Sequence, residues 1–145
     1  MIVRHATESD FDAWWCMRLA LWSDADTPQD RQDMHDSLQR DEVAVLVAQD
    51  ESANLIGFLE AGIRYAADGC ASRNVGYVEG WYVQEEHRRQ GVGAALVEEA
   101  ERWARSRGCV EMASDCELAN DVSFLAHLRL GYEEVERTIH FRKTL

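Results

Sequence analysis

Proline is almost absent. Pro28 is the only one among 145 residues, so helices and strands elsewhere run without that interruption. Positive charge is also scarce: Lys plus Arg total 15 against 27 Asp plus Glu, a net charge of -12. A surface that negative repels phosphate backbones and anionic lipid, which argues against nucleic-acid or membrane-surface binding. It favours cationic partners, and it also serves solubility. No apolar run approaches the roughly 20 residues of a membrane span. The start, Met1-Ile2-Val3-Arg4-His5, lacks a basic region followed by an apolar core, so no signal peptide is expected and the cytoplasm is the expected location. Cys16, Cys70, Cys109 and Cys116 show no C-x-x-C pair and are expected as plain thiols. His5, His35, His87 and His140 show no metal spacing, and no metal is expected. There is no internal repeat and no low-complexity stretch.

Hydrophobic residues at 46% and charged residues at 29% are the proportions of a globular protein, and the length suits one domain over residues 1–145. Met1 to His5 reads as a short strand. Thr7-Glu8-Ser9-Asp10 is a capping-box pattern, and the helix it starts runs to about Trp22, with Phe11, Trp14, Trp15, Arg18, Leu21 and Trp22 on or beside one stripe. Residues 23–42 carry seven acids against Arg31 and Arg40, and Pro28 suits the first turn of a second helix. Those acids are either a solvated face or one wall of a cation-attracting cleft. Val43–Ala48, Leu55–Arg64 and Val75–Val83 read as strands, Gly91–Arg107 as a helix stopped by Gly108, and Val110–Ala113 as a short strand. Asn120–Leu130 reads as a helix stopped by Gly131, and Val135–Phe141 as a closing strand. The step from 75 to 115 implies a parallel pair with a crossover helix. The expected fold is therefore α/β, a mixed and mostly antiparallel sheet with one parallel β-α-β step and helices on both faces.

The stretch Glu85-Glu86-His87-Arg88-Arg89-Gln90-Gly91-Val92-Gly93-Ala94 is the most informative. A strand ends, two arginines follow, and two glycines open a helix. Free amides at a helix start with little side-chain obstruction make an anion site, here suited to phosphate or pyrophosphate. The third glycine of the dinucleotide fingerprint is missing, and no Lys-Ser or Lys-Thr follows as in a P-loop.

Arg88-x-x-Gly91-x-Gly93 resembles the acyl-CoA signature of the GNAT N-acetyltransferase superfamily, at the place in the chain where that fold carries it. Asn120 through Gly131-Tyr132 resembles the superfamily's later motif. Further strings narrow the resemblance to the aminoglycoside 6′-N-acetyltransferases: Leu21-Trp22, Tyr77-Val78-Glu79-Gly80-Trp81-Tyr82-Val83, Glu111-Met112-Ala113-Ser114-Asp115 and Gly131-Tyr132-Glu133-Glu134-Val135-Glu136-Arg137. The resemblance covers nearly the whole chain. It implies the GNAT fold and a cytoplasmic, homodimeric, acetyl-CoA-dependent enzyme that modifies a cationic antibiotic. One loop departs from the family. Ile63-Arg64-Tyr65-Ala66-Ala67-Asp68-Gly69-Cys70 is one residue short, and its tyrosine is displaced.

The resemblance implies roles for named residues. Trp81, Tyr82, Val83, Arg88, Arg89, Gln90, Gly91, Val92, Gly93, Ala94 and Asn120 would contact acetyl-CoA. Trp22, Tyr65, Glu79, Asp115 and Glu136 would contact the aminoglycoside. Amine attack on a thioester needs a group to take the amine's proton, and Asp115 and Glu79 are the candidates. A backbone N–H near Trp81 to Val83 would meet the developing oxyanion. His127 stands where many superfamily members carry a tyrosine; it is either the acid for the leaving thiolate or a polar residue on a helix flank. The open alternatives are another acceptor (a polyamine, an amino sugar or a protein N-terminus) and a non-catalytic acyl-CoA-binding module.

Overall fold

The structure is a computed structural model that describes residues 1–145. Five strands form one sheet in chain order: β1 (Ile2–His5), β2 (Val43–Gln49), β3 (Leu55–Arg64), β4 (Val75–Val83) and β5 (Met112–Ser114). The first four pair antiparallel, and β4 with β5 is parallel. That is the mixed sheet expected from the order of elements. The helix between the last two strands, α3 (Val92–Ser106), is the crossover.

Helices lie on both faces because the sheet presents apolar residues on both. On one face α3 buries Val92, Leu96, Val97, Ala100, Trp103 and Ala104 against Ala44, Leu46, Leu59 and Val78. These α3 positions recur at three- and four-residue steps, the stripe a helix needs to sit on a sheet. On the other face α1 (Phe11–Leu21) and α2 (Pro28–Ser37) bury Trp14, Trp15, Met17 and Met34 against Val45, Val47 and Phe58. Both helices start as the sequence dictates. Asp10 accepts from the Thr7 backbone N–H at 2.8 Å, and Thr27 with Asp30 forms a second capping box ahead of Pro28. Gly108, at φ +83°, ends α3 in the left-handed conformation that glycine adopts without strain.

Two local features shape the sheet near its end. Glu60 pairs with Gly80 and Ala61 with Val78, so Glu79 is the extra residue of a β-bulge. In addition, β5 pairs with β4 only over Gly76–Val78 against Met112–Ser114. From Glu79 to Val83, β4 has no parallel neighbour, and a fork opens between the two strands.

The C-terminal end differs from the sequence expectation. After α4 (Asp121–Arg129), the segment Val135–Phe141 is not a strand. No backbone hydrogen bond involves residues 133–145, and Val135, Ile139 and Phe141 are exposed. The strand-like pattern is present in the side chains, but the backbone groups a strand must pair find no partner within this chain.

Candidate active site

The fork is lined from three directions. Trp81 comes from β4, Ser114 from the end of β5, and His127 from α4. The Trp81 and His127 rings meet edge to face, with centroids 5.4 Å apart. His127 Nε2 lies 2.8 Å from Ser114 Oγ. Trp81 also floors the start of α3. A Cβ on Gly93 would lie 2.9 Å from Trp81 Cζ2, so Gly93 is there for close packing against the indole. The Trp81 Nε1–H is buried without a partner.

The start of α3 has the character its glycines suggested. The N–H groups of Val92, Gly93 and Ala94 find no acceptor in the chain, and no acidic residue stands in the first helical turn. Gly91 caps the helix at φ +85°, and nothing lies within 4 Å of where its side chain would be. Open space in front of unpaired amides fits an anionic group. The side chains around it are partly engaged. Arg88 Nε donates to the Val83 carbonyl at 2.9 Å, tying the loop to the end of β4, and Gln90 Nε2 donates to the Glu86 carbonyl. Arg89 is exposed, with φ at +59°. Asn120 spends its side-chain oxygen as the N-cap of α4, accepting from the Ser123 N–H at 3.1 Å.

A second cluster occupies the other side of the fork. The bulge turns Glu79 outward, and Arg64 Nε and Nη2 donate to its two oxygens at 2.8 and 2.6 Å. The same guanidinium lies 3.4 Å over the Tyr77 ring, and the Tyr77 hydroxyl donates to Asp115 at 2.5 Å. Burial, and then the neighbouring Asp115 carboxylate, push the Tyr77 phenol well above its ordinary value, so it stays a donor. Glu79 on β4 and Asp115, one residue past the end of β5, thus flank the fork, bridged by Arg64 and Tyr77. Asp115 is no helix cap, since Asn120 fills that role. Glu79 also lines a cavity of about 270 Å³ with Glu42, Glu60, Ser37 and Arg40. Trp22 is half-buried beside it, its ring on the bare Gly80 of the bulge; a Cβ there would come within 2.3 Å of Trp22 Cη2.

Two other residues named from the sequence lie apart from this cluster in the single chain. Glu136 sits exposed in the irregular tail, because the strand that was to carry it does not form. Tyr65 is 74% exposed and packs with Arg73, apart from the Glu79–Arg64–Tyr77–Asp115 chain of contacts. Of the acids in residues 23–42, Asp30 caps α2, Asp33 and Asp36 accept from glutamines one turn earlier, and only Glu42 reaches the cavity. Sequence reasoning missed Arg64, Tyr77, Ser114 and Glu60. Arg64, Tyr77 and Ser114 lay within strings already singled out, but nothing in a linear pattern says which carboxylate an arginine meets. The role of Glu111 is also clear only in three dimensions. One oxygen accepts from the Ala71 and Ser72 N–H groups and the Ser72 hydroxyl, which ties the 65–74 loop to the sheet and holds this carboxyl below its usual range.

Residues 9–132 match the acetyltransferase (GNAT) family. The chain is 43% identical to an aminoglycoside N(6′)-acetyltransferase type 1 of Klebsiella aerogenes, covering 99% of this chain and 97% of the relative. It is 40% identical to one from Stenotrophomonas maltophilia, covering 99% and 93%. Among solved structures, it superposes with a TM-score of 0.93 on AAC(6′)-Iy in complex with the bisubstrate analog CoA-S-monomethyl-acetylneamine, at 34% identity, covering 99% of this chain and 98% of the other.

Proposed function

The chain belongs to the acetyltransferase (GNAT) family, and on that premise we propose that it is an aminoglycoside 6′-N-acetyltransferase. It transfers the acetyl group of acetyl-CoA to the 6′-amine of an aminoglycoside and so confers resistance. The observation that carries this reading is the juxtaposition at the fork. An anion cradle at the start of α3 adjoins Trp81, while two carboxylates, Glu79 and Asp115, flank the same gap. One side suits a pyrophosphate and the other a polycation. A sensor that only bound an acyl-CoA would have no use for the second. The full-length similarity to named 6′-N-acetyltransferases supports the choice of acceptor.

Acetyl-CoA supplies the activated acyl group, and the residues present fit it. The Arg88–Ala94 loop, with its unpaired amides and the open space at Gly91, would hold the pyrophosphate. Trp81, Tyr82, Val83 and Asn120 would lie along the rest. Arg88 contributes mainly by fixing the loop to β4. For the acceptor, Glu79, Asp115 and Trp22 would hold the aminoglycoside, the indole face packing on a sugar ring. Asp115 or Glu79 takes the ammonium proton, directly or through water, so that a neutral amine attacks. His127 returns a proton to the departing thiolate. No metal is required by this chemistry.

The protein acts as one catalytic domain and as a homodimer in the cytoplasm. A second copy of the chain covering residues 133–145 would supply partners for the unpaired backbone there and bury Val135, Ile139 and Phe141. In such a dimer Glu136 and Tyr65 would have a route to the acceptor that the single chain does not offer. No helix is long and apolar enough to cross a membrane, and the four cysteines are free.

The deciding experiment is acetyl transfer from acetyl-CoA to kanamycin A, with the acetylated nitrogen located by NMR. Transfer to the 6′-amine is expected. Transfer to spermidine or a peptide N-terminus, with none to kanamycin, would replace the acceptor.

A further inference from the structure

His127 makes three polar contacts, two at Nδ1 and one at Nε2, and the shortest on each side decide where its proton sits; the Ser123 hydroxyl, 3.3 Å from Nδ1, serves equally as donor or acceptor and does not choose between tautomers. Nδ1 lies 2.7 Å from the Ser123 backbone carbonyl. A carbonyl only accepts, so Nδ1 carries the hydrogen. In the neutral ring Nε2 is then an acceptor, and its partner at 2.8 Å is the Ser114 hydroxyl. Ser114 therefore donates to His127, and the ring is held by a third group, as in activated hydroxyl–imidazole pairs. The pair is placed for chemistry. Ser114 is the last residue of β5 paired to β4, at the crotch of the fork, and the His127 ring stands edge to face with Trp81 from β4 and with Tyr132.

We propose that Ser114 is a catalytic residue that relays the His127 proton into the fork, the Ser123 carbonyl holding the neutral ring as the Nδ1–H tautomer. This rests on the acetyltransferase reading and adds a residue to it. In the neutral, locked form His127 has no Nε2 hydrogen to give. It donates only as imidazolium. The imidazolium Nε2–H then passes to Ser114 Oγ as the Ser114 hydroxyl hydrogen passes to the departing thiolate. One proton leaves the ring, one bond to sulfur forms, and Ser114 ends as it began. The groups facing the ring are few. Ser114 is the last residue of β5; Asp115 follows it, its carboxylate engaged by the Tyr77 hydroxyl. Trp81 comes from β4. Ser123 stands one turn earlier on α4, which also carries Asp121 and Arg129. Tyr132 follows α4, its hydroxyl turned to Glu101 of α3. Burial and Glu101 push the Tyr132 phenol up, so it does not compete as an acid.

The test has two parts. In the free protein, ¹⁵N-resolved imidazole NMR should show neutral His127 as the Nδ1–H tautomer. In the enzyme, Ser114→Ala and His127→Gln should each lower kcat by roughly 100-fold with little change in acetyl-CoA KM. The double variant should be no slower than either single one, because both remove one relay. Ser114→Thr keeps the hydroxyl and should restore most of the rate. The pH profile of kcat should differ between the parent and Ser114→Ala, which lacks the relay. An Nε2–H tautomer, or a folded Ser114→Ala enzyme with the parent rate and pH profile, would overturn the relay. A parent inactive on aminoglycosides but with the Nδ1–H signature loses only the acceptor assignment; the relay is then judged by the same variants with whichever amine is accepted.

Discussion

Two arginine–glutamate pairs sit on either side of the bulge in β3 and β4, alike in geometry and opposite in role. Arg18 holds Glu60 through Nε at 2.6 Å and Nη2 at 3.2 Å, and Trp14 Nε1 adds a third donor at 2.8 Å. Both side chains are largely buried, at 18% and 13% exposure. Arg64 holds Glu79 with two donors at similar distances, but those side chains are 45% and 39% exposed and open onto the fork. A buried pair with every oxygen engaged is fixed, because neither partner finds water when the other leaves. A solvent-facing pair exchanges partners at little cost. The difference marks Glu60 as scaffold and Glu79 as a group available to a cationic ligand, although both are glutamates in strands.

The sharpest way to break this comparison is Glu60→Ala. It leaves Arg18 and the Trp14 N–H without their acceptor and should cost about 3–5 kcal/mol of stability, measured by urea denaturation. Glu79→Gln should change the same quantity by less than about 1 kcal/mol. A destabilisation of Glu79→Gln equal to that of Glu60→Ala would erase the distinction.

The next largest effect is kinetic. Asp115→Asn should lower kcat/KM for kanamycin by roughly 100-fold, with acetyl-CoA affinity by calorimetry close to the parent's. Near-normal kcat/KM would leave Asp115 as no more than the acceptor of the Tyr77 hydroxyl.

A second closed pair extends the comparison to pH. Asp10 is held by Arg4 at 2.7 and 2.8 Å and by the Thr7 N–H, which lowers its carboxyl to about 2. A depressed folded-state value means stability that is complete above the unfolded carboxyl's range and lost as pH falls toward 2. Asp10→Asn should therefore cost about 1–2 kcal/mol at pH 7 and remove part of the acid sensitivity between pH 4 and 2. Acid titrations of parent and variant that run parallel would place the sensitivity elsewhere.

The smallest effects concern the open acids. Aminoglycoside Kd should weaken with ionic strength, more for substrates with more ammonium groups, and Glu79→Gln should flatten that dependence. Replacing Asp24 and Asp26 with asparagine should leave it unchanged. A salt-independent Kd in the parent would remove these carboxylates from the binding account.

Much of the fold was legible because it follows from local rules. The α3 stripe, the capping box at Thr7, the stops at Gly108 and Gly131, and the parallel step from β4 to β5 all rest on periodicity and backbone preference. The anion cradle was legible for the same reason: two glycines opening a helix leave amides free. The acidic side of the site was legible only through resemblance. Glu79 and Asp115 lie 36 positions apart, and the parallel pairing of β4 with β5 is what sets them across one gap. Val135–Phe141 misled because side-chain alternation is a local property, whereas a strand needs a neighbour.

The amino-acid sequence by itself determined most of the elements, their order, the excess of negative charge and the helix start with free amides, since each depends on residues within a few turns of one another. Tertiary structure alone decided which carboxylate is locked and which is open, that Glu79 is the bulge residue, that Gly93 makes room for Trp81, and that Ser114 faces His127. Those outcomes depend on strand register and on side chains brought together from separate elements. Burial then decides whether a charged pair is scaffold or site, because the cost of losing a partner is set by whether water can replace it.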